Sequence, residues 1–231
     1  MARLSKRMKA IKEKCEKQEF YSLSEAFDLL KECSTVKFDE SIDVSIRLGV
    51  DARKNDQLVR GSTALPHGLG KQVKVAVFAQ GEQVAVAEAA GADVVGLEDL
   101  VEKAKQGDFD YDAVVASPDV MPVVGSIGQI LGPRGLMPNP KDGTVSKDIG
   151  EMVRSIKAGR AKYRVDKAGI LHCSIGSQKF SAQQLEENFN TLLSDVIKAK
   201  PASAKGQYLK KVSISSTMGP GLTIDRSYLS V

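Results

Sequence analysis

Val73-Lys74-Val75-Ala76-Val77-Phe78 is close to a continuous apolar run, and Ala113-Val114-Val115-Ala116 repeats the pattern. A shorter run, Asp93-Val94-Val95, lies between them. Strands without polar alternation are covered on both faces. The intervals carry helical signals. Val84 to Ala90 is Ala-rich and ends at Gly91, and Leu97 to Lys105 follows the middle run. Short apolar strands alternating with helices predict parallel βαβ units. Ile149 to Lys157 predicts another helix, ended by Ala158-Gly159.

Outward from this middle the pattern changes. Ile42, Val44, Ile46, Leu48 and Val50 alternate with polar residues, Arg47 among them, which is the period of a half-buried strand. A loop dense in Asp, Arg, Lys and Gly runs to Lys71. Past the middle, Tyr163 and Val165, the turn Asp166-Lys167-Ala168-Gly169 and Ile170 to Ile175 predict a hairpin. Val212, Ile214 and Ser216 form another strand, Thr217 to Gly221 turn it, and Leu222 and Ile224 return. Ser22-Leu23-Ser24-Glu25 and Ser181-Ala182-Gln183-Gln184 read as capping boxes. The first opens a helix to about Glu32 with Leu23, Phe27 and Leu30 buried. The second opens a long helix burying Leu185, Phe189, Leu192, Leu193, Val196 and Ile197, stopped by Pro201. Antiparallel α+β at both ends and parallel α/β between them point to a discontinuous domain with the middle inserted.

Composition narrows the function. The 231 residues suffice for one large domain or two small ones. Net charge is +4, mildly basic, which permits a nucleic-acid partner without demanding one. Trp is absent and aromatics make up 5%, so base stacking on aromatic platforms is not expected. Cys15, Cys33 and Cys173 are widely spaced, and His67 and His172 offer no ligand spacing beside them. No metal or other cofactor is expected, and the thiols fit a reducing cytoplasm. No apolar run is long enough to span a membrane, and the basic N-terminus lacks an apolar signal core. Glu13 and Glu16 argue against a mitochondrial presequence.

Enzyme motifs fail on inspection. Gly68-Leu69-Gly70-Lys71 resembles the end of a phosphate loop, but Leu65 stands where the motif needs Gly and Gln72 where it needs Ser or Thr. Gly125-Ser126-Ile127-Gly128 is not a dinucleotide fingerprint. Neither histidine neighbours a nucleophile motif. A cytoplasmic α/β enzyme taking a nucleotide or phosphorylated ligand is the alternative these motifs would have to support.

Basic features are more informative. Leu4, Met8, Ile11 and Cys15 form a thin apolar stripe on a helix that also carries Arg3, Lys6, Arg7, Lys9, Lys12, Lys14 and Lys17. Such a helix is either a solvated face or a phosphate contact. Leu131-Gly132-Pro133-Arg134-Gly135-Leu136-Met137-Pro138-Asn139-Pro140-Lys141-Asp142-Gly143-Thr144-Val145 is stiff and bent, because proline fixes φ and glycine permits angles other residues resist. It is either a surface loop rich in turn residues or a rigid basic loop facing RNA or a neighbouring domain, with Gly132, Arg134, Gly135, Asn139 and Lys141 as its presenting residues. Ser213, Ser215 and Ser216 put hydroxyls on the strand before Thr217-Met218-Gly219. Hydroxyls can bond ribose 2′-OH groups, and Gly219 lets backbone come close. A plain β-turn with polar residues facing solvent fits the same residues. His172 is either structural or an RNA contact.

The Gly/Pro stretch, Val59 to Lys71, Ser216 to Gly221, Lys37-Phe38-Asp39-Glu40-Ser41 and Asp166 to Gly169 together resemble the L-one family of large-subunit ribosomal proteins. The resemblance covers essentially the whole chain. It implies a discontinuous antiparallel split β-α-β domain, residues 1–67 and 160–231, which binds RNA, and an inserted three-layer parallel, Rossmann-like α/β domain, residues 68–159. The hinge would lie near 67–70 and 158–160. It implies RNA contacts at Lys37, Phe38, Ser41, Lys167, His172, Ser213, Ser215, Thr217, Met218 and Gly219, with Glu25, Arg53, Lys54, Arg60 and Lys211 as weaker candidates. Lys211 replaces a small hydroxyl residue found in some relatives. The implied partners are the stalk region of 23S rRNA, exit-site (E-site) tRNA, the mRNA of its own operon and other large-subunit components, with no membrane. The implied roles are a mobile stalk that helps release deacylated tRNA, and translational repression.

Overall fold

The first strand starts where the sequence begins to alternate. In the computed structural model, which describes residues 5–15, 19–225 and 227, the elements run α1 (Lys6–Cys15), α2 (Leu23–Cys33), β1 (Ser41–Leu48) and β2 (Arg60–Ala64). The middle follows with β3 (Val75–Phe78), α3 (Glu82–Ala89), β4 (Val94–Gly96), α4 (Glu98–Gln106), β5 (Ala113–Ala116), α5 (Met121–Gly125), α6 (Gly128–Leu131) and α7 (Ile149–Lys157). The chain closes with β6 (Arg160–Val165), β7 (Ile170–Ser177), α8 (Ala182–Lys198), β8 (Leu209–Ser216) and β9 (Gly221–Ile224). These fall into two units, Met1–Gly70 with Ala161–Val231, and Lys71–Arg160.

The first unit is a six-stranded sheet of order β2-β6-β7-β1-β8-β9. The pairs β1–β7, β1–β8, β6–β7 and β8–β9 are antiparallel. Alternation sends Ile42, Val44, Ile46 and Leu48 of β1 to one face, where they pack with Phe27 and Leu30 of α2 and Leu185, Phe189 and Val196 of α8. Both helices start as the sequence indicates. Ser22 Oγ accepts from Glu25 N at 3.4 Å while Glu25 Oε2 accepts from Ser22 N at 3.3 Å. Ser181 and Gln184 make the same reciprocal pair at 3.2 and 2.9 Å. Asn188 of α8 is fully buried, and each polar atom has a partner. Its Nδ2 donates to Gly68 O and Ile175 O, and its Oδ1 accepts from His67 N. That amide ties the turn at 65–68 to β7.

The second unit is a three-stranded sheet of order β4-β3-β5, parallel throughout. Val75 and Val77 pack with Ile149, Val153 and Ile156 on one face, and Ala76 and Phe78 with Leu100, Ala104 and Leu131 on the other. Helices on both faces make three layers, which is why these strands read as unbroken apolar runs.

Several local expectations shift. The strand expected from Val73 starts at Val75, because the Asp93 carboxylate takes the Val75 N–H at 2.8 Å and Asp112 takes that of Lys74 at 3.1 Å. Val50 lies beyond β1, which ends where the register with β8 shifts and Gly49 N donates to Tyr208 O. On α1, Ile11 is buried and Cys15 half-buried, but Met8 is exposed. Leu4 of that stripe, with Arg3, Glu16 and Lys17, lies outside the described residues. The one-turn helices α5 and α6 have no counterpart in the sequence reading, since single turns are too short to show a period.

Candidate nucleic-acid interface

Alternation that buries one face of the six-stranded sheet places a polar set on the other. Backbone pairing aligns these residues in rows. Arg164 lies opposite His172, His172 opposite Ser45, Ser45 opposite Ser213 and Ser213 opposite Thr223. A neighbouring row runs Ser174, Asp43, Ser215. Arg47 and Lys211 face each other in a third, both exposed. A like-charged pair directly opposite on a sheet is destabilising unless something anionic lies over it. The side chains connect within the rows, with Ser45 Oγ 3.2 Å from His172 Nδ1 and His172 Nε2 3.8 Å from the Asp166 carboxylate.

At one end of this face, where β1 begins and β8 ends, the chain is tightly latched. Thr217 Oγ1 accepts the N–H of Ser41 at 3.1 Å, and Thr217 N donates to Ser41 O at 3.1 Å. Glu40 is only 1% exposed, and its Oε1 accepts the N–H of Met218 at 2.7 Å. The Ser34 hydroxyl donates to the other carboxylate oxygen. Arg7 of α1 donates to the Met218 carbonyl. A Cβ on Gly219 would lie 2.3 Å from Ser216 Oγ, so glycine fits beside Ser216 and a larger residue would displace that hydroxyl. At this end Phe38 and Met218 are 52% and 49% exposed, the second on a backbone that Glu40 and Arg7 hold. Two large apolar side chains left in water suit contact with a sugar or base.

At the other end, the turn after β6 holds Lys167 out. Asp166 accepts from the N–H groups of Ala168 and Ile170 at 2.9 and 2.8 Å. Those bonds, led by Ile170, and the nearby His172 hold its carboxyl below the ordinary carboxylate range.

The structure therefore gathers Lys37, Phe38, Ser41, Thr217, Met218 and Gly219 at one end. It puts His172, Ser213, Ser215 and Lys211 on the face, and Lys167 at the far end. Ser216 is corrected: it points into the core, 6% exposed, and its Oγ has no partner. Glu25 has its carboxylate committed to the helix cap. Arg60 lies on β2 at the sheet edge, and Arg53 and Lys54 sit in the loop after β1. Asp43, Ser45, Arg47, Arg164 and Thr223 complete the rows and were not singled out in sequence. The signal for them was the period of two, carried one strand further.

In the inserted unit the Gly/Pro loop is a closed structure. Thr144, 3% exposed, accepts from Asn139 N through Oγ1 at 2.8 Å and donates its own N–H to Asn139 O. Arg134 Nη1 donates to Phe109 O at 3.0 Å. Gly135 and Gly143 take φ of 69° and 67°. Gly132 caps α6, and the side chain of Lys141 lies outside the described residues. Among the described residues no cluster of three metal-ligating side chains occurs, and no helix is long and apolar enough to cross a membrane.

Residues 29–220 match the sequence profile of the Ribosomal protein L1p/L10e family. The chain belongs to that family. The large ribosomal subunit protein uL1 of Thioalkalivibrio sulfidiphilus (strain HL-EbGR7) is 59% identical over 230 residues, covering 100% of both chains. That of Marinomonas sp. (strain MWYL1) is 60% identical over 230 residues, covering 100% of this chain and 99% of its own. That of Coxiella burnetii (strain RSA 493 / Nine Mile phase I) is 58% identical over 226 residues, covering 98% and 97%. An L1-family chain is a structural part of the large ribosomal subunit and not an enzyme. The glycines at 68 and 70 accordingly serve backbone turns, with φ of 67° and 70°.

Proposed function

We propose that the six-stranded unit binds a structured segment of 23S rRNA through the sheet face away from α2 and α8 and the Ser41–Thr217 end. Membership of a ribosomal protein family supports an RNA partner. The observation that carries the choice of surface is the alignment of hydroxyls, His172 and cations in rows ending at an exposed Phe38 and Met218. Hydroxyl-rich rows suit ribose 2′-OH groups and phosphates, so recognition rests on RNA shape more than on base identity. Lys211 is exposed on the face, so it contributes charge rather than a fixed bond. The inserted unit, hinged near 67–70 and 158–160, gives the ribosome a mobile stalk at the E site that helps deacylated tRNA leave, and the Gly/Pro loop with Arg134 and Lys141 serves that unit. An mRNA site of its own operon that mimics the rRNA competes for the same sheet face and represses translation. The chain acts on the ribosome in the cytoplasm.

The test is binding to the rRNA stalk fragment against an unrelated RNA of equal length, across a salt series, for wild type, Thr217→Ala and Met218→Ala. Selective binding weakened by both substitutions supports the reading. Equal weak binding to both RNAs, unmoved by either change, removes it. An operon leader that gives no binding where rRNA binds removes the repressor role alone.

A further inference from the structure

Beyond the far end of β1, the loop that follows it and the segment leading into β8 enclose a concavity of about 500 Å³, lined by Gly49, Asp51, Lys54, Gln57, Lys205 and Lys210 among others. It is framed rather than incidental. Gln57 ties its two walls, accepting the N–H of Asp51 at 2.8 Å and donating to Ser203 O at 3.3 Å. Gly49 passes so close to the second wall that a Cβ there would lie 2.1 Å from Gln207 O. The Asp51 carboxylate turns to its own loop, accepting the N–H of Arg53 at 3.2 Å.

The three lysines are all exposed, and among the described residues none of them is paired with a carboxylate. Lysines elsewhere do find partners, as with Lys74 and Asp110 or Lys179 and Asp39. Three lysines against a single carboxylate give this polar hollow a net positive lining, which suits a phosphate rather than a cation or an apolar group.

Position says what kind of phosphate. The hollow lies at the end of β1 opposite Ser41 and Thr217, about 25 Å away by the rise of a strand. Arg47 and Lys211 lie on the way, and Lys167 sits in the turn at the hollow's own end of the sheet. A small phosphorylated ligand would use one end only, whereas an RNA backbone laid along the face reaches both. We propose that this concavity is a second phosphate site for the same RNA, a proposal that rests on the RNA-binding reading of the sheet face. It turns a single anchor at the Thr217 end into two-ended docking, which fixes the direction in which the RNA lies.

The experiment compares wild type, the triple change Lys54→Gln, Lys205→Gln and Lys210→Gln, a control triple at Lys103, Lys105 and Lys198, and Thr217→Ala. Each is titrated with the rRNA stalk fragment across a salt series, with a thermal melt to show that each is folded. The pocket triple is expected to lower the slope of log affinity against log salt by about 2 to 3, one counterion contact per lysine, while the control triple leaves it near wild type. A wild-type slope in the pocket triple, with Thr217→Ala still weakening binding, overturns the second site and leaves the sheet-face reading intact. An equal fall in both triples also overturns it, since charge anywhere would then serve. No preference of the wild type for the stalk fragment removes both readings.

Discussion

The buried carboxylate of Glu40 accepts the backbone N–H of Met218 at 2.7 Å, and this bond sets the loop that carries the exposed methionine. A charged acceptor makes a short, strong bond to a backbone donor. Glu40→Ala is expected to cost about 1–3 kcal/mol of stability, the penalty for donors left without a partner. It should also weaken rRNA binding by freeing Met218. Glu40→Gln keeps an acceptor for that N–H and should retain most of both. Urea denaturation and RNA titration of the two variants check this, and equal loss in both would mean that the charge itself matters.

Gly219 and Ser216 are coupled through one contact. Gly219→Ala drives a Cβ to 2.3 Å from Ser216 Oγ, but leaves it 3.5 Å from Ser216 Cβ, an ordinary contact. Gly219→Ala alone should therefore be destabilising, and adding Ser216→Ala should recover most of the loss. Ser216→Ala alone removes a buried hydroxyl without a partner and should be neutral or slightly stabilising. A double-mutant cycle by denaturation measures the coupling.

Arg47 lies directly opposite Lys211 across the β1–β8 pair, two like charges side by side. Lys211→Ser should raise stability by a few tenths of a kcal/mol, up to about 1, as like charges opposite one another do when relieved. The same change should reduce the salt dependence of rRNA binding. Thermal melts and a salt series read the two effects, and a loss of stability would show that the pair is compensated.

Burial, and then the Asp43 carboxylate, push the Cys173 thiol from its ordinary 9.0 up to about 12. The folded state therefore favours the neutral thiol. Its contribution is complete below about pH 9 and is lost as pH rises through the folded value. Stability should fall from about pH 9 towards pH 12, and Cys173→Ala should make that alkaline limb shallower, with the remainder left by Tyr208 and Cys15, which burial pushes up to about 12 and about 11. Urea midpoints measured across that window for both proteins test it.

Fold class was legible because it follows from two periods. The unbroken run at Val75–Phe78 and the alternation at Ile42–Leu48 separate a sheet covered on both faces from one covered on a single face. The capping boxes at Ser22 and Ser181 were legible for the same local reason. Tertiary partners were not. Nothing in sequence says that Glu40 reaches Met218, or that Gln57 spans two loops, because those separations are closed only by the fold. Ser216 carries a hydroxyl as Ser213 and Ser215 do, yet the period of β8, with Val212 and Ile214 buried, assigns it to the core. The rows across the sheet depend on strand order, which alternation alone does not supply.

Lysine acetylation followed by mass spectrometry, with and without the rRNA stalk fragment, locates the RNA on one side of the sheet or the other. Lys37, Lys167 and Lys211 lie along the proposed face, whereas Lys198 is on α8 behind the sheet and Lys103 is in the inserted unit. RNA on the polar face should shield the first three and leave Lys198 and Lys103 as reactive as before. Shielding of Lys198 with Lys167 and Lys211 unprotected would place the RNA on the helical side and contradict it.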